Sequence, residues 1–148
     1  MNRFDLFRFC SAAIIAPVLL MSAVAAQAGQ INLTVTGARN ADGIVRCGLF
    51  ASAAGFREPG KEASEATGKI SGNSASCSFK AVPNGTYAIA VFHAERGERK
   101  MDIGLFGKPK QGVGFSRNPS ITFGPPDFDA AAFAVGAAPV NLTIKLNY

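Results

Sequence analysis

Apolar and polar residues alternate with a period of two through most of the chain. Ile31, Leu33 and Val35 alternate with Asn32, Thr34 and Thr36, the pattern of a strand with one buried and one solvated face. In Asn40-Ala41-Asp42-Gly43 the Asp-Gly pair supplies a turn position at positive φ, so residues 44–50 are expected to fold back on the first strand as a hairpin. Residues 67–71 and 75–82 form two more strands around Gly72-Asn73. Pro83-Asn84-Gly85 then turns the chain into residues 86–93. There Tyr87, Ile89, Val91 and His93 share one face, and Ala88, Ala90 and Phe92 share the other. Apolar residues on both faces predict a central strand covered on both sides. Residues 130–135 and 140–147 are expected to close the chain as strands, the second with Val140, Leu142, Ile144 and Leu146 on one face.

Two stretches break the alternation. Residues 51–66 are polar, rich in small residues and interrupted by Pro59-Gly60, which predicts a loop with a short helical turn. Residues 94–128 are longer than an ordinary connection in a small domain. Their glycines (Gly104, Gly107, Gly112, Gly114, Gly124) and prolines (Pro109, Pro119, Pro125, Pro126) predict an ordered loop, with Phe106, Phe115, Phe123, Phe128 and the following Phe133 as its buried anchors. The loop either caps one end of the domain or also serves as a recognition surface. About seven short strands without an amphipathic helix predict an all-β fold. The expected form is a single antiparallel two-sheet sandwich of the immunoglobulin-like kind with one long ordered loop.

The first residues change the picture of where the domain begins. Arg3 and Arg8 stand against Asp5, an apolar run covers residues 9–26, and Ala26-Gln27-Ala28 precedes Gly29. A basic region, an apolar core and a small-residue cleavage site make residues 1–28 an expected signal peptide, leaving 29–148 as one domain. The alternative is a membrane anchor, which the shortness of the run, Pro17 and the small residues at its end disfavour. Cys10 precedes the core of the run, where lipoprotein processing would not use it. With the leader removed, no transmembrane segment is expected, and the protein is expected in the periplasm or secreted.

The mature part keeps thirteen of fifteen Lys/Arg and nine of ten Asp/Glu, a net charge of +4. These cations are scattered, with no run longer than Arg99-Lys100, which argues against nucleic acid as a partner. A mild positive charge suits an anionic envelope component or serves solubility alone. Cys47 and Cys77 remain in the mature chain, each with apolar neighbours two residues away, and in an oxidising compartment an even pair is read as a disulfide. Closing a loop of about 30 residues would stabilise the fold by about 3–4 kcal/mol. Two buried free thiols are the alternative; a redox role lacks the C-x-x-C spacing.

Several separated motifs carry a resemblance. Residues 43–50, Pro83-Asn84-Gly85-Thr86-Tyr87-Ala88, Val91-Phe92-His93, Gly107-Lys108-Pro109, Gly112-Val113-Gly114-Phe115-Ser116 and Pro126-Asp127-Phe128 together resemble the bacterial domain of unknown function 2141 family. The resemblance implies a small exported sandwich similar to prealbumin-like or carboxypeptidase-regulatory-like domains, and implies no activity. It also implies an oxygen-rich turn after the histidine, like a calcium loop. Here that turn reads Ala94-Glu95-Arg96-Gly97-Glu98-Arg99-Lys100-Met101-Asp102, with three added cations and too few oxygens for a hard metal. Arg96 is expected either to pair with Glu98 or Asp102 as a built-in cation, or to belong to a solvated charge cluster.

Candidate chemistry is sparse. His93 is the one histidine, so no second imidazole is available for a metal or a relay, and the cysteines are expected to be spent on each other. Ser116 lies outside a G-x-S-x-G elbow and is expected to bond backbone in a turn. Asp127 and Asp129 could pair as carboxylates, but the chain has no Trp on which a sugar would stack. The sequence is therefore read as a non-enzymatic, cofactor-free binding or accessory module of the cell envelope. Its partner would be a protein, peptide or anionic component, held by His93, Arg96, Lys108, Lys110 and Arg117. The alternative is an envelope hydrolase that uses His93 with nearby carboxylates, for which a deep pocket joining His93, Asp102 and Asp127 would be the sign.

Overall fold

The alternation predicted at the start of the domain is the first strand of a computed structural model that describes residues 28–148. The expected leader lies outside the described residues except for Ala28. That residue begins β1 (Ala28–Thr36), in which Ile31, Leu33 and Val35 are buried. There follow β2 (Ile44–Phe50), β3 (Ser64–Ser71), β4 (Ser74–Pro83), β5 (Gly85–Ala94), β6 (Val113–Phe115), one helical turn α1 (Phe128–Ala131), β7 (Phe133–Val135) and β8 (Val140–Lys145). Among the described residues no helix is long and apolar enough to cross a membrane.

Seven of the eight strands overlap those that alternation predicts, β6 arises within the segment expected as a loop, and the pairing differs. The eight form one mixed sheet, in the order β6-β5-β2-β3-β4-β1-β8 with β7 on β5. It is nearly barrel-shaped, where two antiparallel sheets were expected. Three contacts account for this. β8 runs parallel to β1, from Ile31↔Val140 to Thr36↔Lys145. β3 and β4 pair only at Ile70↔Ala75 and Ser71↔Ser74, so the sheet folds over at that seam. Val113 and Asn147 exchange backbone hydrogen bonds at 2.8 Å, which draws the two ends of the sheet together. Gly114 permits this closure, because a Cβ there would lie 2.6 Å from both the Ile144 side chain and the Lys145 carbonyl oxygen.

The expected hairpin of the first two strands is absent. β1 pairs with β4 and β8, whereas β2 pairs with β3 and β5. Asp42-Gly43 does turn the chain, with Gly43 at φ 64°, but residues 37–43 carry it from one side of the barrel to the other. The hairpin around Gly72-Asn73 forms as expected. Residues 130–135, expected as one strand, divide into the end of α1 and the three-residue β7.

Two cores follow from β5 being apolar on both faces. Its inner face (Tyr87, Ile89, Val91) packs inside the barrel with Leu33, Val45, Phe79 and Ile144. The Cys47–Cys77 disulfide joins β2 to β4 within this core. Gly68 of β3 leaves room for it, since a Cβ there would sit 3.1 Å from the Cys77 sulfur. The outer face of β5 carries Ala88, beneath a second cluster of Phe50, Phe56, Val113, Phe115 and Ala131, with Phe92, Ile121 and Phe128 partly buried against it. Phe56 meets Phe50, Phe115 and Phe128 edge-on at centroid distances of 5.5, 6.1 and 5.7 Å, a favoured aromatic geometry.

Candidate binding end at His93

β6 divides the long 94–128 segment, expected as one lid, into two loops at opposite ends of β5. Its register, Ala90↔Phe115 to Phe92↔Val113, leaves residues 95–112 beyond the His93 end of β5 and residues 116–127 toward its start. Ser116 fixes the second loop. It is fully buried, its Oγ accepts from the Ile89 backbone N–H at 2.9 Å, and its hydroxyl donates to the Ala131 carbonyl. Thus Ser116 bonds backbone, as expected, but the backbone of β5 and α1 rather than of its own turn.

His93 points into the barrel with no exposed surface. Its Nε2 lies 2.7 Å from the Asp42 carbonyl oxygen and its Nδ1 lies 2.7 Å from the Tyr148 hydroxyl. A carbonyl only accepts, so Nε2 carries the proton that it donates there. In the neutral ring Nδ1 then accepts from the Tyr148 hydroxyl, which in turn accepts from the Arg39 N–H at 3.0 Å. Every polar atom of the ring is thereby satisfied by the fold. Arg39 also stacks over the Tyr148 ring, 4.7 Å from its centroid, and grips Glu95 with Nε–Oε1 at 2.6 Å and Nη2–Oε2 at 2.5 Å. That grip, with help from the Asn40 amide, holds the Glu95 carboxyl below its ordinary range.

Beyond Glu95 the chain turns on Arg96. Its Nε donates to Glu98 Oε1 at 2.9 Å, its N–H donates to Oε2 of the same carboxylate at 2.9 Å, and its other arm reaches Asp102 at 3.5 Å. The Arg96 guanidinium, with the backbone N–H groups of Glu98 and Arg96, pulls the Glu98 carboxyl down to about 2. Arg46 of β2 braces the turn by donating to the Glu98 carbonyl at 2.7 Å. Arg96 therefore pairs with both acids, the built-in cation that the altered turn allowed.

The loop then runs out and back as a two-armed tongue. Ile103 bridges Pro109, Gly104 N–H donates to Lys108 O at 2.7 Å, and Lys110 N–H donates to Asp102 O at 2.9 Å. At its root Gln111 is buried and its Oε1 accepts from the Asp102 N–H at 2.9 Å, while its Nε2 has no partner. A short 3-10 turn at Leu105–Gly107 makes the tip. Ile103 is 54% exposed and Leu105 84%. The Phe106 side chain lies outside the described residues.

The five residues expected to share a rim divide three ways. Arg96, Lys108 and Lys110 are exposed on this one loop. His93 lies beneath it, sealed. Arg117 is at the other end of β5, exposed, with a guanidinium nitrogen 3.3 Å from the Ala132 carbonyl. Of the phenylalanines, Phe115 is buried and Phe128 and Phe133 are partly so, but Phe123, expected as an anchor, is fully exposed. Asp127 and Asp129 flank the start of α1, remote in the fold from His93 and Asp102. Two surface depressions, of about 500 Å³ at the β3–β4 seam and about 270 Å³ beside Asn118–Thr122, are lined by none of His93, Asp102 or Asp127. Among the described residues no three His, Cys, Asp or Glu side chains group as a metal site requires.

Comparison with known families gives one match. The model of an uncharacterized protein conserved in bacteria, domain of unknown function 2141, matches residues 33–143. The chain belongs to this family. The matched range runs from within β1 to within β8, so the barrel and both loops of this family member are included. No curated protein and no solved structure matches it. Sequence reasoning missed Arg39, Gln111, Tyr148 and the exposed Ile103 and Leu105. The first three meet partners far along the chain or are buried by its path, which leaves no local pattern. Leu105 did carry a signal, an apolar residue amid glycines and lysines, the composition of a tip rather than a core.

Proposed function

We propose that this family member is an exported, non-catalytic binding module of the cell envelope that engages an anionic component through the loop at the His93 end. The carrying observation is how polar groups are distributed there. His93, the one side chain suited to acid–base work near neutral pH, is sealed and fully hydrogen-bonded. The exposed groups above it are cations, and Arg99, Lys100, Lys108 and Lys110 enter no ion pair among the described residues. A hydrolase built on His93 would need that ring to reach substrate and lose its present bonds. The signal-like segment at 1–28 supports export, and the Cys47–Cys77 disulfide is compatible with an oxidising compartment.

The test compares sedimentation of purified protein with isolated envelope material for the wild type, Lys108→Ala/Lys110→Ala and Arg117→Ala. Binding that falls with salt, weakens in the double variant and persists in Arg117→Ala is expected. Turnover of an envelope ester or glycoside that His93→Gln abolishes, with the fold intact, would instead establish the hydrolase.

A further inference from the structure

We propose that the tongue of residues 102–110 docks onto an anionic phospholipid bilayer, Ile103 and Leu105 entering the headgroup layer within a collar of cations. This deepens the binding function proposed above and rests on it. The first observation is exposure. Leu105 and Ile103 are two of the four large apolar side chains left exposed on the described surface, and they stand two residues apart on one projecting tip. A single exposed apolar residue is ordinary, whereas a pair held forward by a hydrogen-bonded stem offers a convex apolar point.

The second observation is charge. Residues 95–112 contain five Lys/Arg and three Asp/Glu, and all three acids are already engaged, Glu95 by Arg39 and the other two by Arg96. Arg99 and Lys100 are exposed just before the outgoing arm, and Lys108 and Lys110 are exposed on the returning one. At the opposite end, residues 116–132 expose Phe123, but together with the neighbouring loop 51–63 they contain three Lys/Arg and four Asp/Glu. Among the described residues, the His93 end therefore combines an apolar tip with an excess of cations, and the opposite end does not. A bilayer is the partner that needs no matching pocket: it takes apolar side chains at its acyl boundary and lysines at its phosphates.

The experiment is flotation with vesicles of equal parts phosphatidylglycerol and phosphatidylethanolamine, against vesicles of phosphatidylcholine alone. Binding to the first only, weakening as salt rises, is expected. Lys108→Ala/Lys110→Ala should lose roughly 25-fold in partitioning, at about fivefold per lysine. Leu105→Ser should lose about tenfold through its apolar contribution alone. As the chain has no Trp, Leu105→Trp reports insertion directly, by a blue shift and quenching by brominated lipid, while Phe123→Trp should show neither. Leu105→Trp fluorescence unchanged by anionic vesicles, or Leu105→Ser binding as well as wild type, would overturn the proposal. Protein that sediments with isolated envelope material yet ignores these vesicles would overturn it too, leaving the broader binding function intact.

Discussion

Phe115→Ala should be among the most damaging single changes outside the barrel interior, and Phe123→Ala among the mildest. The two phenylalanines are eight residues apart in the same segment, yet Phe115 is 6% exposed and Phe123 fully so. Phe115, paired with Ala90 across β6 and β5, packs on the outer face of the sheet against Phe56 at 6.1 Å and in one cluster with Phe50 and Ala131. Truncating a buried phenylalanine costs about 3–5 kcal/mol, including about 0.5–1.5 kcal/mol for a lost aromatic pair. This cluster is roofed by loops that can settle into the void, so the lower half of the range, about 3–4 kcal/mol, is expected. For a domain of this size that is roughly a 10 °C fall in Tm. Phe123→Ala should stay within about 0.5 kcal/mol. Urea titration of both variants, read by midpoint at constant m, measures this, and amide exchange across residues 116–131 should quicken only in Phe115→Ala. A loss below about 1 kcal/mol for Phe115→Ala, or equal losses for the two, would refute the second core.

Three further outcomes are expected. Cys77→Ser should destabilise by about 3–4 kcal/mol, since the Cys47–Cys77 bridge spans a sequence separation of 30; a non-reducing peptide map should show the two joined, and free thiols in protein from an oxidising compartment would contradict this. The Glu95 and Glu98 carboxyls are held below their ordinary range, Glu98 at about 2, so their stabilisation is complete above about pH 4.5 and is lost as pH falls toward 2. Tm measured against pH should fall over that window, and less steeply in Glu98→Gln. Gly114→Val should open the barrel's closure, costing about 1–3 kcal/mol by overpacking against Ile144 and the Lys145 carbonyl; an unchanged urea midpoint would contradict that closure.

The strands were legible because each carries its own period-two pattern, which depends only on which face meets the core. Their pairing was not, because a period says nothing of the neighbour. β1 and β2 look like a hairpin from Asp42-Gly43, yet the same turn also serves a crossing of the barrel. β6 is three residues long and has a glycine within it and another just before it, so Gly112-Val113-Gly114 reads as loop until Ile144 and Tyr148 are seen against it. The parallel β1–β8 pair leaves no local mark either. At the candidate site, the altered turn made Arg96 legible as a cation beside acids. His93 was legible as a strand residue but not as a sealed one, since its partners Asp42 and Tyr148 lie 51 and 55 residues away.

The claim that recognition lies at the His93 end is tested most directly by placing one photoreactive side chain at Leu105 or at Phe123 and irradiating cells that express the full-length chain. Both positions are exposed, so neither substitution should disturb the fold. The account predicts adducts to envelope components from Leu105 that disappear in the Lys108→Ala/Lys110→Ala background, with none from Phe123. Adducts from Phe123 alone, or from both positions equally and regardless of the lysines, would contradict it.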